Sequence, residues 1–309
     1  METVRRAVID VGTNSVKLLV ADVCGEAQPV HEESRQTRLG RDFYRNHLLQ
    51  PDAIAATART VANFGRTARE MRAATVRVIA TSAARDARNA GDLLSAIQEA
   101  SGLALEIISG RQEAEWAFRG VGMDSAAMLL LDVGGGSTEF IMGRAGKAKF
   151  AESYPLGTVR CMEQFPQSDP PLMEELLRTW AWVRHFLKDR VQQTLEPALQ
   201  QEKKTSVVRL VGTGGTAAIL ARIELKLDHY DRALIEGARL SMEQIRSQRK
   251  RLWALPLAQR REIPGLPASR ADVMLYGILI YELVMEEFGF AELRVSTRGI
   301  RFGALMTDT

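Results

Sequence analysis

Only two cysteines, Cys24 and Cys161, occur in 309 residues. That is too few for a disulfide framework or a four-cysteine zinc site. Such scarcity fits a reducing compartment, and the expected location is cytoplasmic. Four histidines, His31, His47, His185 and His229, are scattered without ligand spacing. A histidine zinc centre and a Ser/His/Asp triad are therefore excluded from the reading. No apolar run approaches the roughly 20 residues a membrane helix needs; stretches such as Ala126 to Leu131 are far shorter. Met1 to Arg6 is charged and passes at once into a strand pattern, so no signal peptide is expected. An excess of one charge is also missing. A net charge of +3 gives no whole-molecule case for a nucleic-acid or membrane-surface partner.

What is present is ordinary globular composition, 46% hydrophobic and 26% charged. The length suggests about two domains of roughly 150 residues. Arginine outnumbers lysine, 33 to 8. Arginine grips phosphate bidentately, but a genome-wide coding bias gives the same ratio and is the simpler account.

Strand and helix patterns alternate along the chain, which defines an α/β class. Arg6 to Val11 and Val16 to Asp22 read as strands around the turn Gly12-Thr13-Asn14. A helix opens at Pro51 with Ile54, Ala58, Val61, Phe64, Ala68 and Met71 on one face. Val76 to Ala80 and Leu105 to Ile108 read as strands, with a short helix from Gly91 to Ala100 between them. Ser109 and Gln112 match a capping box, so a helix starts there. Met128 to Asp132 and Thr138 to Met142 form a second hairpin pattern around Gly134-Gly135-Gly136. Pro171 to about Val191 is helical, with Leu172, Leu176, Trp180, Val183 and Leu187 on its apolar stripe. Val207 to Val211 is a strand closing on a third glycine turn, Gly212 to Thr216. Leu240, Ser241, Gln244 and Ile245 combine a capping box with a hydrophobic staple. Arg270 to Glu287 is a long helix, Leu293 to Ser296 a late strand, and Ile300 to Met306 a final helix.

The strongest feature is an internal echo. Asp10-Val11-Gly12-Thr13-Asn14-Ser15 recurs as Asp132-Val133-Gly134-Gly135-Gly136-Ser137, 122 residues later. Each copy follows an apolar strand and precedes another. Glycine turns let backbone N–H groups gather on an anion, and Ser or Thr hydroxyls add donors. A carboxylate at the strand end can hold a hydrated cation that neutralises phosphate. The plain alternative is a pair of tight hairpins with capping aspartates.

These residues resemble motifs of the exopolyphosphatase/guanosine-pentaphosphate phosphatase family. The similar segments are Val8 to Ser15, Ala80 to Asn89, Ile108 to Ala114, Asp132 to Glu139, Val211 to Thr216 and Ser296 to Gly303. They run in order over nearly the whole chain. The resemblance implies an α/β fold with duplicated actin/Hsp70/sugar-kinase-like (ribonuclease H-like) domains and an interdomain cleft. The expected division is 1–122 for the first domain, 123–296 for the second, and 297–309 returning to the first, with the strand near Leu293 to Ser296 making the return. Longer relatives carry further C-terminal helical domains, so this chain resembles the short form.

The resemblance also assigns roles. Glu113 takes the position of the family's catalytic carboxylate, although a first-turn glutamate could serve only the helix dipole. The family often has two acids in succession here; this chain has Gln112-Glu113, and Gln112 cannot be a base. Gly12, Thr13, Asn14, Ser15, Arg85, Gly134, Gly135, Gly136, Ser137, Thr138, Gly214, Gly215 and Thr216 are the expected phosphate binders. Asp10, Asp132 and Glu139 are the expected metal residues for Mg2+ or another divalent cation, Asp10 sharing it through water. Gly157 and Arg160 fit a further family segment. Arg270 with Asp272, and Arg298 with Arg301, would line a product-side phosphate path or form helix-end ion pairs. The basic run Arg246, Arg249, Lys250 and Arg251 suits a long polyanion or a solvated helix face.

The implied activity is removal of terminal phosphate from inorganic polyphosphate, guanosine pentaphosphate, or both. Two alternatives stay open: a kinase of the same fold, and a phosphate or alarmone sensor without turnover. The expected partner is the polyphosphate or guanosine-pentaphosphate substrate, with no membrane and no specific nucleic acid; a homodimer is left open.

Overall fold

The computed structural model describes residues 2–122 and 126–307. Residues 123 and 308–309 of the expected division lie outside the described residues. The chain divides into two compact units, Met1–Gly120 with Ile300–Thr309, and Val121–Gly299.

The first unit runs β1 (Val4–Val11), β2 (Ser15–Cys24), β3 (Glu26–Gln36), α1 (Pro51–Glu70), β4 (Thr75–Ala80), α2 (Ser82–Asp86), α3 (Ala90–Ser101), β5 (Leu105–Ile107) and α4 (Gly110–Val121). Its sheet has the order β3-β2-β1-β4-β5. β2 is antiparallel to both β1 and β3, whereas β1, β4 and β5 are parallel. The centre of the sheet follows from β1, where Ala7 to Val11 are all buried, as suits a strand covered on both faces. The edge follows from β3, whose Pro29, His31, Glu32 and Glu33 are tolerated only where one ladder stays open. Helix α1 starts at Pro51, where the missing N–H costs nothing. It buries Ile54, Ala58, Val61, Phe64 and Ala68. Removing a fully buried ring such as Phe64 would cost about 3–5 kcal/mol.

The second unit repeats the plan with additions. In order come β6 (Met128–Val133), β7 (Thr138–Arg144), β8 (Lys147–Tyr154), α5 (Thr158–Gln164) and α6 (Met173–Phe186). A π-helical stretch (Leu187–Gln192) joins α6 to α7 (Gln193–Lys203). Then follow β9 (Arg209–Thr213), α8 (Gly214–Leu225), α9 (Arg232–Ile235), β10 (Arg239–Ser241), α10 (Met242–Ala254), α11 (Leu257–Arg260), α12 (Met274–Glu287) and β11 (Glu292–Val295). The chain ends in α13 (Ile300–Leu305) of the first unit. The second sheet has the order β10-β11-β9-β6-β7-β8. β6, β9 and β11 are parallel, and β7 is antiparallel to β6 and β8. Read from β8, this is the first sheet's order with β10 added at the end. The fold is thus a duplicated α/β fold of the actin/Hsp70/sugar-kinase type. Helix α12 is buried on every side from Met274 to Met285, as its almost wholly apolar sequence requires; Glu282 is the one charged residue in that span.

Several expectations need correction. The strand at Leu293 to Ser296 does not return to the first unit; β11 pairs with β9 in the second sheet, and α13 makes the return. Arg6 and Arg77 hold that helix by donating to the carbonyls of Leu305 and Ala304. Gly212 to Thr216, expected as a glycine turn, is the end of β9 running directly into the first turn of α8. The helix expected to stop near Val191 continues to Lys203. Leu172, placed on its apolar stripe, is 49% exposed and precedes the helix. The capping box at Ser241 forms in both directions. At Ser109 only half does: Gln112 N–H donates to the hydroxyl, but the Gln112 amide turns to Glu106.

Candidate active site

Parallel strands put the loops that follow them at one edge of a sheet, outside the carboxyl ends, where α/β folds bind ligands. In the first unit β1 leads to the turn Gly12–Asn14, β4 to α2 with Arg85, and β5 to α4 with Glu113. The three loops are tied together. Thr81 N–H donates to the Val11 carbonyl at 3.4 Å, and Ile108 N–H to that of Ala80 at 3.0 Å. Arg85 Nη1 then donates both to the Ile108 carbonyl at 3.1 Å and to Glu113 Oε2 at 3.0 Å. The Glu113 side chain is 12% exposed and that of Arg85 24%. Glu113 also lies in the first turn of a twelve-residue helix, where the dipole favours a carboxylate.

The first hairpin closes with Gly12 N–H donating to the Ser15 carbonyl at 3.1 Å. Loop 37–40 holds it from one side. Gly40 N–H donates to the Thr13 carbonyl at 2.7 Å, and the Thr37 and Arg38 N–H groups to the Asn14 carbonyl. A trans peptide sets its N–H opposite its C=O, so Asn14 N–H faces away from that loop. Contact is tight: a Cβ on Gly40 would lie 2.3 Å from Thr13 Cγ2. Thr13, Asn14 and Ser15 are buried, and Asn14 Oδ1 accepts from Gln36 Nε2 at 3.0 Å. Asp10 is buried too, and desolvation pushes its carboxyl above the usual carboxylate range, opposed by Lys17 and Arg301.

The second hairpin repeats this geometry. Gly134 N–H donates to the Ser137 carbonyl at 2.9 Å. Here α5 holds the turn. Thr158 N–H donates to the Gly134 carbonyl, Val159 and Arg160 N–H groups to that of Gly135, and Arg160 Nε to that of Gly136. The N–H groups of Gly135 and Gly136 therefore point away from α5, as an anion nest needs. Gly157 permits the approach, since a Cβ there would lie 2.4 Å from the Gly135 carbonyl oxygen.

β6 and β7 set Asp132 and Glu139 opposite one another in register. Asp132 is half-buried, and Gly214, at φ +80°, lies directly against it; a Cβ there would be 2.1 Å from Asp132 Oδ1. Glu139 is 2% exposed, and its Oε1 accepts from Ser137 Oγ at 2.8 Å and Ser153 Oγ at 2.7 Å. The hydroxyls of Thr138 and Thr216 donate inward, to the carbonyls of Leu156 and Val133. Any donation of theirs to phosphate would come from the main chain. Gly214, Gly215 and Thr216 form the first turn of α8, a twelve-residue helix.

Among the described residues, no group of three or more His, Cys, Asp or Glu side chains gathers to hold a metal. A hard cation that keeps its waters and takes one or two carboxylates plus phosphate oxygens fits such a donor set. Asp132 with Glu139 supplies that pair.

Other candidates resolve differently. Arg301 donates to the Leu18 carbonyl and to Glu32, so its guanidinium braces the first sheet. Arg249 and Arg246 turn to Glu282 on α12, which is 3% exposed, and Arg246 also approaches Glu286. Half of the basic run is thus neutralised by the neighbouring helix. Trp180 and Trp182 are half-buried against the second core, with the Arg184 guanidinium 3.7 Å above the Trp180 ring. Burial pushes the Cys161 thiol up to about 12, which removes it as a nucleophile. Sequence reasoning passed over Lys17, loop 37–40 and Ser153. Applying the 122-residue offset to Glu139 would have found Lys17, which faces Asp10 in register.

Two like-built α/β units, each with a glycine hairpin and helix-start loops at the carboxyl ends of its parallel strands, define a phosphate-handling protein of the actin-like class. Residues 18–309 match the Ppx/GppA phosphatase family, and the chain belongs to that family. It is 32% identical to Exopolyphosphatase 2 of Mycobacterium tuberculosis, over 99% of both chains. Among solved structures it is similar to the Aquifex aeolicus PPX-GPPA enzyme, with a TM-score of 0.79 and 30% identity over 99% of this chain and 100% of that one. An exopolyphosphatase from Cytophaga hutchinsonii gives a TM-score of 0.84 with 26% identity, covering 97% and 96%. Among the described residues, no helix is long and apolar enough to cross a membrane.

Proposed function

We propose that this protein removes terminal phosphate from linear polyphosphate, guanosine pentaphosphate, or both, with Glu113 as the base. The observation that carries the reading is the Arg85–Glu113 pair, 3.0 Å apart, on α2 and α4, the helices that follow β4 and β5. Arg85 can bridge a phosphoryl oxygen and the carboxylate. Glu113 then accepts a proton from water as the water oxygen bonds to the terminal phosphorus. The anhydride P–O bond breaks, and its electron pair leaves with the shortened chain. Hydrolysis of this kind rests on positioning and charge neutralisation more than on covalent chemistry.

The N–H groups of Gly135 and Gly136, with the first turn of α8, take phosphate oxygens in the second unit. Asp132 and Glu139 would hold the divalent cation, which neutralises phosphate charge when bound. Asp10 already faces Lys17, so its share in the cation would run through water. Lys17 suits the anion instead. The test is phosphate release from tripolyphosphate, long-chain polyphosphate and guanosine pentaphosphate with and without Mg2+. Release from at least one of them, slowed by about 10²–10⁴ in Glu113→Gln, is expected; no release from any, or full activity of the variant, would reject the reading.

A further inference from the structure

In the first unit the loop after the third parallel strand leads directly into α4, whose first turn carries Glu113. The equivalent loop of the second unit, after β11, is Ser296–Gly299, and it carries no acid. Hydrogen bonds and close packing hold it on both sides. Ser296 N–H donates to the Gly212 carbonyl at 2.8 Å, and Thr213 Oγ1 donates to the Arg298 carbonyl. Gly299 lies so close to Thr213 that a Cβ would be 2.8 Å from the Thr213 hydroxyl. Thr213 immediately precedes Gly214, which abuts Asp132. One contact therefore separates this loop from the proposed cation and phosphate edge.

The far side of the loop is held by an acid about sixty residues away. Glu236 Oε2 accepts from Thr297 N–H at 2.7 Å, from the Thr297 hydroxyl, and from Ser296 Oγ at 3.5 Å. Arg232 Nη1 donates to the same Thr297 hydroxyl at 2.6 Å. Glu236 is exposed, whereas Ser296 and Thr297 are 3% and 9% exposed. A surface carboxylate thus holds a buried loop through charge-assisted bonds, which are the stronger kind. Its neighbours set its place: Asp231 caps α9, and Gly237, at φ +78°, turns the chain back to the β11 edge.

We propose that Glu236, assisted by Arg232, is a positioning residue for substrate binding. It fixes Thr297 and Arg298, and through the Thr213–Arg298 bond it keeps the Thr213–Gly214 edge seated against Asp132. The proposal rests on the phosphohydrolase reading for its consequence and on the hydrogen-bond chain for its structure.

Three variants test it: Glu236→Ala, Glu236→Gln, which keeps one accepting oxygen, and Thr297→Val, which removes the shared hydroxyl. Glu236→Ala should weaken tripolyphosphate binding in Mg2+ about tenfold, as loss of a charged hydrogen bond typically does. KM should rise in proportion, with kcat nearly unchanged. Glu236→Gln should recover most of the loss, and Glu236→Ala combined with Thr297→Val should be less than additive. Amide hydrogen exchange supplies a readout free of substrate. Faster exchange in Glu236→Ala should appear at 297–298 and also at 213–214. Unchanged exchange at 213–214, unchanged tripolyphosphate affinity, or full additivity of the double variant would each overturn the proposal. A wild-type protein that releases no phosphate would reject the hydrolase reading alone, because the exchange measurement still judges the brace.

Discussion

In the hairpin after β1 the returning strand sets Lys17 opposite Asp10, whereas in the hairpin after β6 it sets Glu139 opposite Asp132. The turns close alike, Gly12 to Ser15 at 3.1 Å and Gly134 to Ser137 at 2.9 Å. Each turn has its carbonyls drawn to one side, by loop 37–40 in the first unit and by α5 in the second. Backbone geometry has therefore been kept through duplication while the charge opposite the strand-end aspartate has reversed. A mixed pair suits an anion, and a pair of acids suits a cation. The loops downstream diverge in the same sense. The first unit places Arg85 and Glu113 at its sheet edge, and the second places backbone N–H groups of α8 and a braced loop there.

The largest expected break in this comparison comes from the two aspartates. Asp132→Asn should lower Mg2+-dependent phosphate release roughly a hundredfold, since cation stabilisation of phosphoryl oxygens is worth several kcal/mol. Asp10→Asn should cost clearly less, and magnesium titration of both variants checks the order. Equal losses would mean that both hairpins handle the cation. Next, Gly157→Ala forces a methyl group against the Gly135 carbonyl. Overpacking of that kind costs about 1–3 kcal/mol. Thermal unfolding and tripolyphosphate binding should both worsen; a variant as stable and as tightly binding as wild type would remove α5 as the clamp of the nest.

Lys17→Met should raise KM by about tenfold or less while leaving the magnesium requirement alone, because one screened charge is lost from an anion site. A shifted magnesium requirement would instead assign Lys17 to the cation. The smallest effect is on stability. Burial raises the folded-state pKa of Asp10 above its unfolded value. The folded chain then holds its proton more tightly. Stability from this group is greatest below the unfolded pKa and declines as pH rises towards the folded one. Asp10→Asn should therefore raise the melting temperature by a few degrees at pH 7, with the gap closing as pH falls through the carboxylate range. A variant less stable than wild type at pH 7 would contradict that sign.

Sequence patterns exposed what apolar periodicity and glycine spacing encode. The buried strand before each turn, the helix from Pro51 and the capping box at Ser241 are local signals. The edge strands β3 and β8 were not legible, because their side chains are largely polar and show no clean apolar alternation. The destination of β11 was misread for a related reason: four residues say nothing about which parallel neighbour they join. Glu113, Arg85 and Asp132, and Gly157 and Arg160 of the α5 clamp, lie in motifs, but loop 37–40 and Glu236 act through contacts remote in sequence. Asn89 shows the converse. It belongs to a legible motif, yet its amide brackets the Leu49 backbone with two hydrogen bonds, which accounts for it structurally.

The central claim is that Glu113, held by Arg85, takes the proton from the attacking water. Single-turnover phosphate release by Glu113→Gln, with tripolyphosphate binding measured separately, addresses it without interference from product release. The amide keeps the shape but cannot accept the proton, so the rate constant should fall by about 10²–10⁴ while the binding constant changes little. Full retained rate, or binding and rate lost together, would contradict the account.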